Sequence, residues 1–600
     1  MGELPFHDRA DFADADRGYL RGPAATVIKG QDGRVVWDCE AYSFLSGECP
    51  DTANPSLWRQ AQLLSRYGLY RVVDGIYQVR GLDLSNMTLV EGDRGVIVID
   101  PLISVETAAA ALALYRQERG DRPVTAVIYT HSHADHFGGV RGVLPDGPPD
   151  GVPVIAPAGF LEHAVAENVY VGAAMTRRAM YMYASELDPG PAGQLSCGLG
   201  LTTSVGRVSL IAPTLDITAT GQEETVDGVR MVFQLTPGTE APAEMNFYFP
   251  AHRTLCMAEN ATHNLHNVLT LRGAVVRDAR VWSHYLDEAI ALFGADSDAL
   301  FASHHWPTWG RERIVTFLSQ QRDLYAYLHD QTLRLMNQGY TGIEIAEILE
   351  LPPALESAWH ARGYYGSVSH NVKAIYQRYL GWFDGNPAHL WEHPPQAAAE
   401  RYVEYMGGAD AVLDKARGSF DEGDLRWVAQ VVNHVVFADP DNTAAKELLA
   451  QAYERLGHGA ENGTWRNFYL TGAADLRGAT QSTPVDTASN DVAGALTVGQ
   501  LLDSVAVRIN GPRAWNETLT IDWRVDGSVH RCTLSNGALI QTGQRATPAD
   551  LTVTLAKAQL PIVLGTGKLD AVRTEGDPAV LGRLLSLVDG VSHDFAIVTP

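Results

Sequence analysis

Short apolar runs separated by turns predict a series of strands in the first half of the chain. They are rich in β-branched and aromatic residues, which favour strands. The candidates are Tyr70–Val79, Met87–Glu91, Gly95–Ile99 and a run that starts at Val124. An alanine-rich stretch between Ser104 and Gly120 has residues suited to cap a helix at both ends. Strands that alternate with helices predict a layered α/β domain.

Helical spacing replaces the strand pattern in the middle of the chain. From about Arg311, apolar residues recur every three or four positions until Gly339, as in an amphipathic helix. Asp424–Val436 and Thr443–Leu456 are typical of a helical hairpin of tetratricopeptide type. One such hairpin cannot bury its own apolar face, so we expect it to pack on the main body or on a second subunit.

A chain of 600 residues is too long for one hydrophobic core, so we expect several domains. The patterns above divide it into five parts. The parts are an N-terminal arm (1–65), an α/β domain (66–310), an all-α domain (311–471), a linker (472–493) and an α+β domain (494–600). We expect the arm to be extended and to lie on the body. The α/β domain contains an inserted helical excursion at 158–190. In the α+β domain, Leu519–Val525 alternates strictly between apolar and polar residues.

A polar turn in the α/β domain is crowded with possible metal ligands. It holds His131, His133, Asp135 and His136, directly after the strand that starts at Val124. Imidazole and carboxylate groups suit zinc and similar divalent ions. His131 and His133 are spaced to close on one ion. Asp135 and His136 project the other way and can hold a second ion, roughly 3.5–4 Å away in two-metal sites. A solvated loop without metal is the alternative, and so dense a cluster of ligand residues argues against it.

Two ions need more ligands than this turn offers, so we expect acids and histidines from downstream strand ends to complete the site. Such residues follow three apolar runs, at the positions where α/β layouts place their sites. They are Glu240 and Glu244, Glu259, and His304 and His305.

Composition and charge restrict the class of function. With 46% hydrophobic and 20% charged residues, the composition is typical of a globular protein. A net charge of −25 disfavours nucleic acid and anionic membranes as partners. No apolar run long enough for a transmembrane helix and no secretory leader is visible, and the five scattered cysteines favour a reducing compartment. We expect a cytoplasmic protein without stable membrane insertion, or a periplasmic or secreted one if a leader has been removed.

Several motifs together resemble one enzyme family. Thr130-His-Ser-His-Ala-Asp-His136 resembles the signature of the metallo-β-lactamase fold. Other segments are similar to its alkylsulfatase branch: Pro237–Met245, Glu259–Asn267, Thr270–Ala274, Arg277-Asp278 and Gly381–Pro387. The resemblance spans residues 20–600. It implies an αββα metallo-β-lactamase sandwich, an all-α dimerisation domain and an α+β sterol-carrier-like domain, and hence a homodimer.

The resemblance implies a zinc-dependent hydrolase. Its substrate would be a small amphiphilic alkyl sulfate, primary such as dodecyl sulfate or secondary, which a metal-bound hydroxide converts to an alcohol and inorganic sulfate. Another hydrolase on the same fold, acting on a phosphodiester, lactone or thioester, is the enzymatic alternative. A lipid- or surfactant-binding protein with a vestigial site is a rival of a different class, and the complete ligand set argues against it.

Two Zn²⁺ per subunit follow from the same resemblance. The implied ligands are His131, His133 and Glu240 for one ion, Asp135, His136 and His304 for the other, and Glu259 between them. Most of the superfamily has a histidine after the Pro-Gly turn, whereas this chain has Thr239 and then Glu240. That difference weakens a β-lactamase or glyoxalase II interpretation. Glu244 and His305 are the local rivals of Glu240 and His304.

Two further stretches contain candidate residues for the sulfate pocket and for a general acid that protonates the leaving group. The resemblance assigns Asn267, Arg272 and Arg277 to sulfate binding, and the planar fork of arginine matches an oxyanion. Surface salt bridges, with Asp278 an obvious partner, are the alternative for both arginines. The candidates for acid or sulfate contact are Tyr364, Tyr365, His370 and Tyr376. For His370, a structural role is the alternative, because a lone histidine in a helical domain is more often structural. The sequence does not decide whether the C–O or the S–O bond of the ester is cleaved.

Residues that could line an apolar cleft for the alkyl chain lie in the inserted helical segment at 158–190. They are Met175, Met180, Tyr181, Met182 and Tyr183. Burial of each methylene would contribute about 0.8 kcal/mol. The alternative is that these side chains form the core of the inserted helices.

Overall fold

An eight-stranded sheet forms one half of the N-terminal sandwich. The computed structural model describes residues 4–479 and 494–600. The first ten strands are β1 (Tyr19–Arg21), β2 (Val27–Lys29), β3 (Val35–Asp38), β4 (Gly68–Val73), β5 (Ile76–Arg80), β6 (Met87–Glu91), β7 (Val96–Ile99), β8 (Val124–Ile128), β9 (Val154–Pro157) and β10 (Leu215–Ile217). The sheet order is β1-β4-β5-β6-β7-β8-β9-β10, and β2 pairs separately with β3. Strands β7 to β10 run parallel.

A six-stranded sheet lies against the first one. Its strands are β11 (Glu223–Val226), β12 (Val229–Leu235), β13 (Met245–Phe249), β14 (Thr254–Cys256), β15 (Ala299–Phe301) and β16 (Thr308–Trp309), in that order. Ile97 and Ile128 of the first sheet share one buried cluster with Phe233 and Phe247 of the second. Because side chains alternate along a strand, one face of each sheet supplies this core.

Helices cover the outer faces and complete the αββα sandwich. The helices of this half are α1 (Ala10–Asp16), α2 (Pro55–Leu64), α3 (Val105–Arg119), α4 (Ala134–Phe137), α5 (Val140–Val143), α6 (Phe160–Tyr170), α7 (Gly172–Tyr183) and α8 (Ala279–Ala289). The side chain of Ser104 caps α3 by accepting from the Thr107 amide, and Gly120 follows its last turn with φ +87°. Both caps agree with the sequence prediction, as does the helical excursion, which is α6 and α7.

The N-terminal arm is folded, which corrects the expectation of an extended segment. Strand β1 joins the edge of the eight-stranded sheet beside β4. Helix α2 starts with Asn54 as its cap and Pro55 at its first position, and its Leu57 and Trp58 are buried in the main core. Frequent Gly, Pro and Asp residues obscured these short periodic runs, each of which is stable only because it packs on the body.

Helices form the middle of the chain. They are α9 (Arg311–Met336), α10 (Gly342–Ile348), α11 (Pro353–Glu356), α12 (Val368–Leu380), α13 (Pro395–Tyr405), α14 (Ala409–Glu422), α15 (Leu425–Ala438), α16 (Thr443–Gly459) and α17 (Gly463–Leu476). The expected hairpin is α15 and α16, which share an apolar cluster with α14 and α17. Helix α17 extends into the expected linker, and residues 480–493 of that linker lie outside the described part. Within the described ranges, no helix has the apolar length that a bilayer crossing requires.

The C-terminal region is the expected α+β unit. Its elements are β17 (Leu519–Val525), β18 (Ser528–Ser535), β19 (Ala538–Thr542), β20 (Leu551–Leu555), β21 (Arg573–Gly576) and helices α18 (Val498–Ala506), α19 (Gly511–Ala514), α20 (Leu560–Thr566) and α21 (Ala579–Ser586). The sheet order is β19-β18-β17-β20-β21. Leu519, Ile521, Trp523 and Val525 are buried on the helix-covered face.

Candidate metal centre

The histidine turn connects the two sheets at one edge of the sandwich. His131 and His133 follow β8, and the short helix α4 carries Asp135 and His136. His131 forms an isolated β-bridge with Glu244, which directly precedes β13 of the second sheet. The turn therefore lies where strand ends from both sheets meet.

Three predicted ligands form a first group. The ligand atoms of His131, His133 and Glu240 lie within 4.8 Å of one another. Nδ1 of His133 is 2.8 Å and Nε2 of His131 is 3.2 Å from the same Oε2 of Glu240. All three side chains are buried. Two imidazoles and a carboxylate thus converge on one small volume.

Four predicted ligands form a second group. Ligand atoms of Asp135, His136, Glu259 and His304 also lie within 4.8 Å of one another. Nε2 of His136 is 3.1 Å from Asp135 Oδ2 and 3.1 Å from Glu259 Oε2. The same Glu259 oxygen is 3.2 Å from His304 Nε2 and 3.3 Å from His131 Nε2. Glu259 therefore lies between the two groups.

Unsatisfied polar atoms indicate that these groups fit metal ions. Counting only described residues, four buried ligand atoms have no hydrogen-bond partner: Nε2 of His131, His136 and His304, and Oε2 of Glu240. A buried polar group left unpaired costs about 1–3 kcal/mol, and such groups are rare in folded proteins. A cation bound by these lone pairs would remove that cost. The nitrogen and oxygen donor set suits zinc and similar divalent ions.

Asp100 orients ligands of both groups and was missed by the sequence analysis. Its Oδ2 accepts from Thr130 Oγ1 at 2.7 Å and from Ser303 Oγ at 2.6 Å, and lies 3.0 Å from His136 Nδ1. Thr130 Oγ1 is in turn 2.9 Å from His131 Nδ1. Partners of this kind fix the ring so that the other nitrogen faces the metal. The only sequence signal was an acid directly after β7.

Glu244, the rival of Glu240, has a different environment. Its Oε2 accepts from the Glu240 amide at 3.0 Å and from Thr239 Oγ1 at 2.7 Å. Its Oε1 accepts from the Glu259 amide at 3.1 Å. Burial and the neighbouring Glu240 raise the pKa of Glu244 well above its usual range. Glu244 thus holds the backbone of two acids rather than joining either group.

His305, the rival of His304, is directed away from the groups. Its Nδ1 accepts from the His263 amide at 3.0 Å, and its Nε2 lies 3.2 Å from the Gly198 carbonyl oxygen. Burial lowers its pKa to about 3. A positive φ of 64° at this residue turns the chain, so that successive histidines point in different directions.

Asn267 and Arg277 border the first group. Nη2 of Arg277 donates to Glu240 Oε1 at 2.5 Å, and Nη1 donates to Asn267 Oδ1. Burial alone would raise the pKa of Glu240, but Arg277 and the nearby histidines hold it below its usual range. The alternative pairing of Arg277 with Asp278 is wrong, because Asp278 binds Arg378 and caps α8.

His266 was also missed, although it stands inside a motif that the sequence analysis used. Its Nε2 is 2.8 Å from Glu259 Oε1 and 3.8 Å from Glu240 Oε1. Its Nδ1 is 3.2 Å from Arg277 Nη1. His266 therefore connects both acids with the arginine. Its position seven residues after Glu259 was the available signal.

An apolar cleft opens beside the groups. His133, Asp135 and Arg272 line it together with Met175, Met180 and Tyr183 of the helical excursion. Of the other cleft candidates, Tyr181 faces α17 through a ring contact with Phe468. Met182 accepts a hydrogen bond from Thr270 Oγ1 and packs in a separate cluster. The five expected residues thus divide between the cleft and the core of the insertion.

The tyrosines that the sequence analysis names as candidates for acid or sulfate contact do not all lie near the metal centre. Tyr365 is close to the centre, since its ring contacts the His266 ring at a centroid distance of 4.9 Å. The Tyr364 hydroxyl lies 3.0 Å from Ser56 Oγ instead. The geometry does not bring Tyr376 to the centre, because its ring packs on Gly342 in the core of the helical domain. These tyrosines are neighbours in sequence but point to different cores.

His370 is buried at the start of α12. Its Nδ1 accepts from Trp465 Nε1 at 3.0 Å, so its proton is on Nε2. Among the described residues, that Nε2 has no hydrogen-bond partner. Burial lowers the pKa of His370 to about 3. The ring is therefore a neutral donor at ordinary pH.

Family models match three consecutive regions of the chain. The metallo-beta-lactamase superfamily model matches residues 80–304, the alkyl sulfatase dimerisation model residues 341–479 and the alkyl sulfatase C-terminal model residues 486–600. This succession confirms the expected architecture of sandwich, helical domain and α+β domain. The last two models are specific to alkyl sulfatases.

Relatives match over the full length. A linear primary-alkylsulfatase from Pseudomonas sp. is 51% identical, covering 100% of this chain and 91% of the relative. An alkyl/aryl-sulfatase from Saccharomyces cerevisiae is 48% identical, covering 100% and 94%. The solved structure of a stereoselective inverting sec-alkylsulfatase from Pseudomonas sp. has a TM-score of 0.97 at 45% identity, covering 100% and 96%. The chain therefore belongs to the alkylsulfatase family of the metallo-beta-lactamase superfamily.

Proposed function

We propose that the protein hydrolyses alkyl sulfate esters to an alcohol and inorganic sulfate in a metal-dependent reaction. One observation carries the proposal: full-length similarity to alkylsulfatases coincides with two buried donor groups whose lone pairs converge. Relatives named as a primary and as a secondary alkylsulfatase both match the full chain, at 51% and 45% identity. The ester is therefore proposed only as an alkyl sulfate. A phosphodiesterase, a lactonase or a surfactant-binding protein has no comparable support.

The metal is proposed to be zinc, with two ions per subunit. His131, His133 and Glu240 would hold one ion, Asp135, His136 and His304 the other, and Glu259 would contact both. The two donor groups and their shared acid support this division. When bound, such ions supply Lewis acidity and lower the pKa of water towards neutrality.

The anion pocket is proposed to consist of Asn267, Arg272, Arg277 and His370. Nδ2 of Asn267, considering the described residues alone, is a buried donor without a partner, and a sulfate oxygen would satisfy it. The planar fork of Arg277 suits a three-oxygen anion. Arg272 stands in the wall of the cleft beside Asp135. His370, neutral because burial lowers its pKa to about 3, suits a hydrogen-bond donor better than a general acid.

His266 is proposed as a positioning residue for Glu259 and Arg277. Its Nε2 is 2.8 Å from Glu259 Oε1, and its Nδ1 lies beside Arg277. S–O cleavage would need a separate proton donor at the leaving oxygen, because an alkoxide leaves poorly. C–O cleavage expels sulfate and demands less proton transfer. Hydrolysis in ¹⁸O-water distinguishes the two, because the label enters sulfate in the first case and the alcohol in the second.

A homodimer is the proposed assembly. The alkyl sulfatase dimerisation model covers residues 341–479. Within it lies an aromatic strip, defined as Tyr379, Trp382, Trp391, Tyr402 and Tyr405. Trp391 is 96% and Tyr405 91% exposed in the single chain. Aromatic side chains are enriched at protein interfaces, and a second copy of the chain is the occupant that the dimerisation match favours.

The proposed reaction has a direct test. Purified protein is assayed for sulfate release from dodecyl sulfate and a secondary alkyl sulfate, in parallel with p-nitrophenyl phosphate and nitrocefin. Turnover of an alkyl sulfate with little turnover of the other two supports the proposal. Absence of sulfate release from the zinc-loaded protein, with turnover of either alternative substrate, would overturn it.

A further inference from the structure

Helix α7 forms one wall of the apolar cleft, and its opposite face is held from behind. Met175, Ala179, Met180 and Tyr183 line the cleft and recur at the spacing of one helix face. Arg177 lies on the other side and is buried. The position of this helix therefore sets the width of the cleft.

Hydrogen bonds hold that opposite face of α7 in place. We call the groups that form them the clamp: Arg177, Tyr181, Asp475 and the carbonyl group of Phe595. Arg177 Nε donates to the Phe595 carbonyl oxygen at 3.0 Å, and its Nη2 donates to Asp475 Oδ2 at 2.9 Å. The Tyr181 hydroxyl donates to the same Asp475 oxygen. Asp475 belongs to α17, and Phe595 belongs to the C-terminal segment, defined as residues 587–600 after α21. One helix face is thus tied to two other regions of the chain.

The C-terminal segment is itself anchored beyond the clamp. Val598 packs against the apolar cluster of α14 to α17. Asn467 of α17 donates to the Met182 carbonyl oxygen at 2.9 Å. The end of the chain therefore contacts both α7 and the helical domain.

We propose that this clamp determines the length of alkyl chain that the cleft accepts, so that the C-terminal segment is a specificity-determining element of the enzyme. The inference rests on the proposed alkyl sulfate hydrolysis. The clamp residues act by positioning α7. Loss of the clamp would let α7 shift and would weaken contacts to distal methylenes more than contacts to the sulfate group, because Asn267 and Arg277 are held by each other and by Glu240 rather than by α7.

The test uses a series of primary alkyl sulfates from hexyl to dodecyl. Each buried methylene contributes up to about fourfold in affinity. For Arg177→Met and Tyr181→Phe, kcat/KM for dodecyl sulfate should fall about tenfold, while kcat/KM for hexyl sulfate and inhibition by inorganic sulfate should stay within twofold. The matched control is Arg477→Met, since Arg477 is also on the α17 end but forms exposed ion pairs with Glu447 and Glu454.

An equal loss at every chain length would overturn the proposal, because a purely structural role predicts that result. An unchanged chain-length dependence would overturn it as well. If Arg177→Met fails to fold, Tyr181→Phe, which removes a single hydroxyl, tests the proposal through the same chain-length dependence of kcat/KM. Failure of the wild type to release sulfate from any ester would instead contradict the proposed function.

Discussion

Four donor groups converge on the carboxylate of Asp100, directly beside the ligand groups. They are the Thr130 amide, the hydroxyls of Thr130 and Ser303, and Nδ1 of His136. Asp100 also has a positive φ of 52°, an uncommon conformation for a residue other than glycine. The sequence could not indicate this role, because it depends on three segments that meet only in the fold.

Asp100→Asn should weaken metal binding about 10- to 100-fold, the usual effect of losing an outer partner. The new amide would present N–H groups to donors that now meet a carboxylate oxygen. Zinc affinity is measured by competition with a chromophoric chelator. Asp216→Asn, an exposed position on β10, is the control. Equal zinc affinity in Asp100→Asn and the wild type would contradict the assigned role.

Arg277→Lys should lower kcat/KM for alkyl sulfates and weaken inhibition by inorganic sulfate, each by roughly 10-fold or more. A lysine is a point charge and cannot bind Glu240, Asn267 and an oxyanion through one planar fork. Steady-state kinetics with added sulfate measure both effects. Arg280→Lys, exposed on α8, serves as the control. A loss of kcat/KM with unchanged sulfate inhibition would remove Arg277 from the anion pocket.

At the scale of elements, the connection between β5 and β6 acts as a brace for the second ligand group. Ser85 Oγ donates to the Asp135 carbonyl oxygen at 2.6 Å, and Asn86 Nδ2 donates to the His305 carbonyl oxygen at 2.7 Å. The Leu84 carbonyl oxygen lies 3.2 Å from His304 Nδ1. Three consecutive residues therefore contact Asp135 and His304, two ligands of the second group, and the backbone of His305 beside them.

The double variant Ser85→Ala, Asn86→Ala should loosen the second group more than the first. During dialysis against a weak chelator, it should pass through a species with one zinc per subunit, because His131, His133 and Glu240 keep their contacts. Metal analysis against chelator concentration follows the loss. Parallel loss of both ions, with the same midpoints as the wild type, would contradict a selective brace.

Elements with clear periodicity could be predicted from the sequence, and elements that depend on tertiary packing could not. The strand Met87–Glu91 and the caps of α3 were correct because local patterns determine them. The N-terminal arm was misjudged, since β1 exists only through its pairing with β4. Among the site residues, the ligands stood in local motifs, whereas the separation of Tyr365 from Tyr376 depends on how α12 packs on α10.

At the scale of the whole molecule, the aromatic strip should hold two copies together. Trp391→Ser combined with Tyr405→Ser should weaken the dimer by at least about 2 kcal/mol, some 30-fold in Kd, as for hot-spot aromatics. Sedimentation velocity over a concentration series measures the change. Trp515→Ser, at an exposed tryptophan of the C-terminal unit, is the control. A double variant that dimerises as tightly as the wild type would exclude the strip as the interface.

The central claim is that the two buried ligand groups hold metal ions on which sulfate-ester hydrolysis depends. The most direct measurement combines elemental analysis with the rate of sulfate release from a cleaved alkyl sulfate, before chelation, after chelation and after zinc is restored. We expect two zinc ions per subunit, loss of activity in proportion to their removal, and recovery with zinc in the wild type but not in His133→Ala. A metal-free preparation that retains full activity would contradict the account.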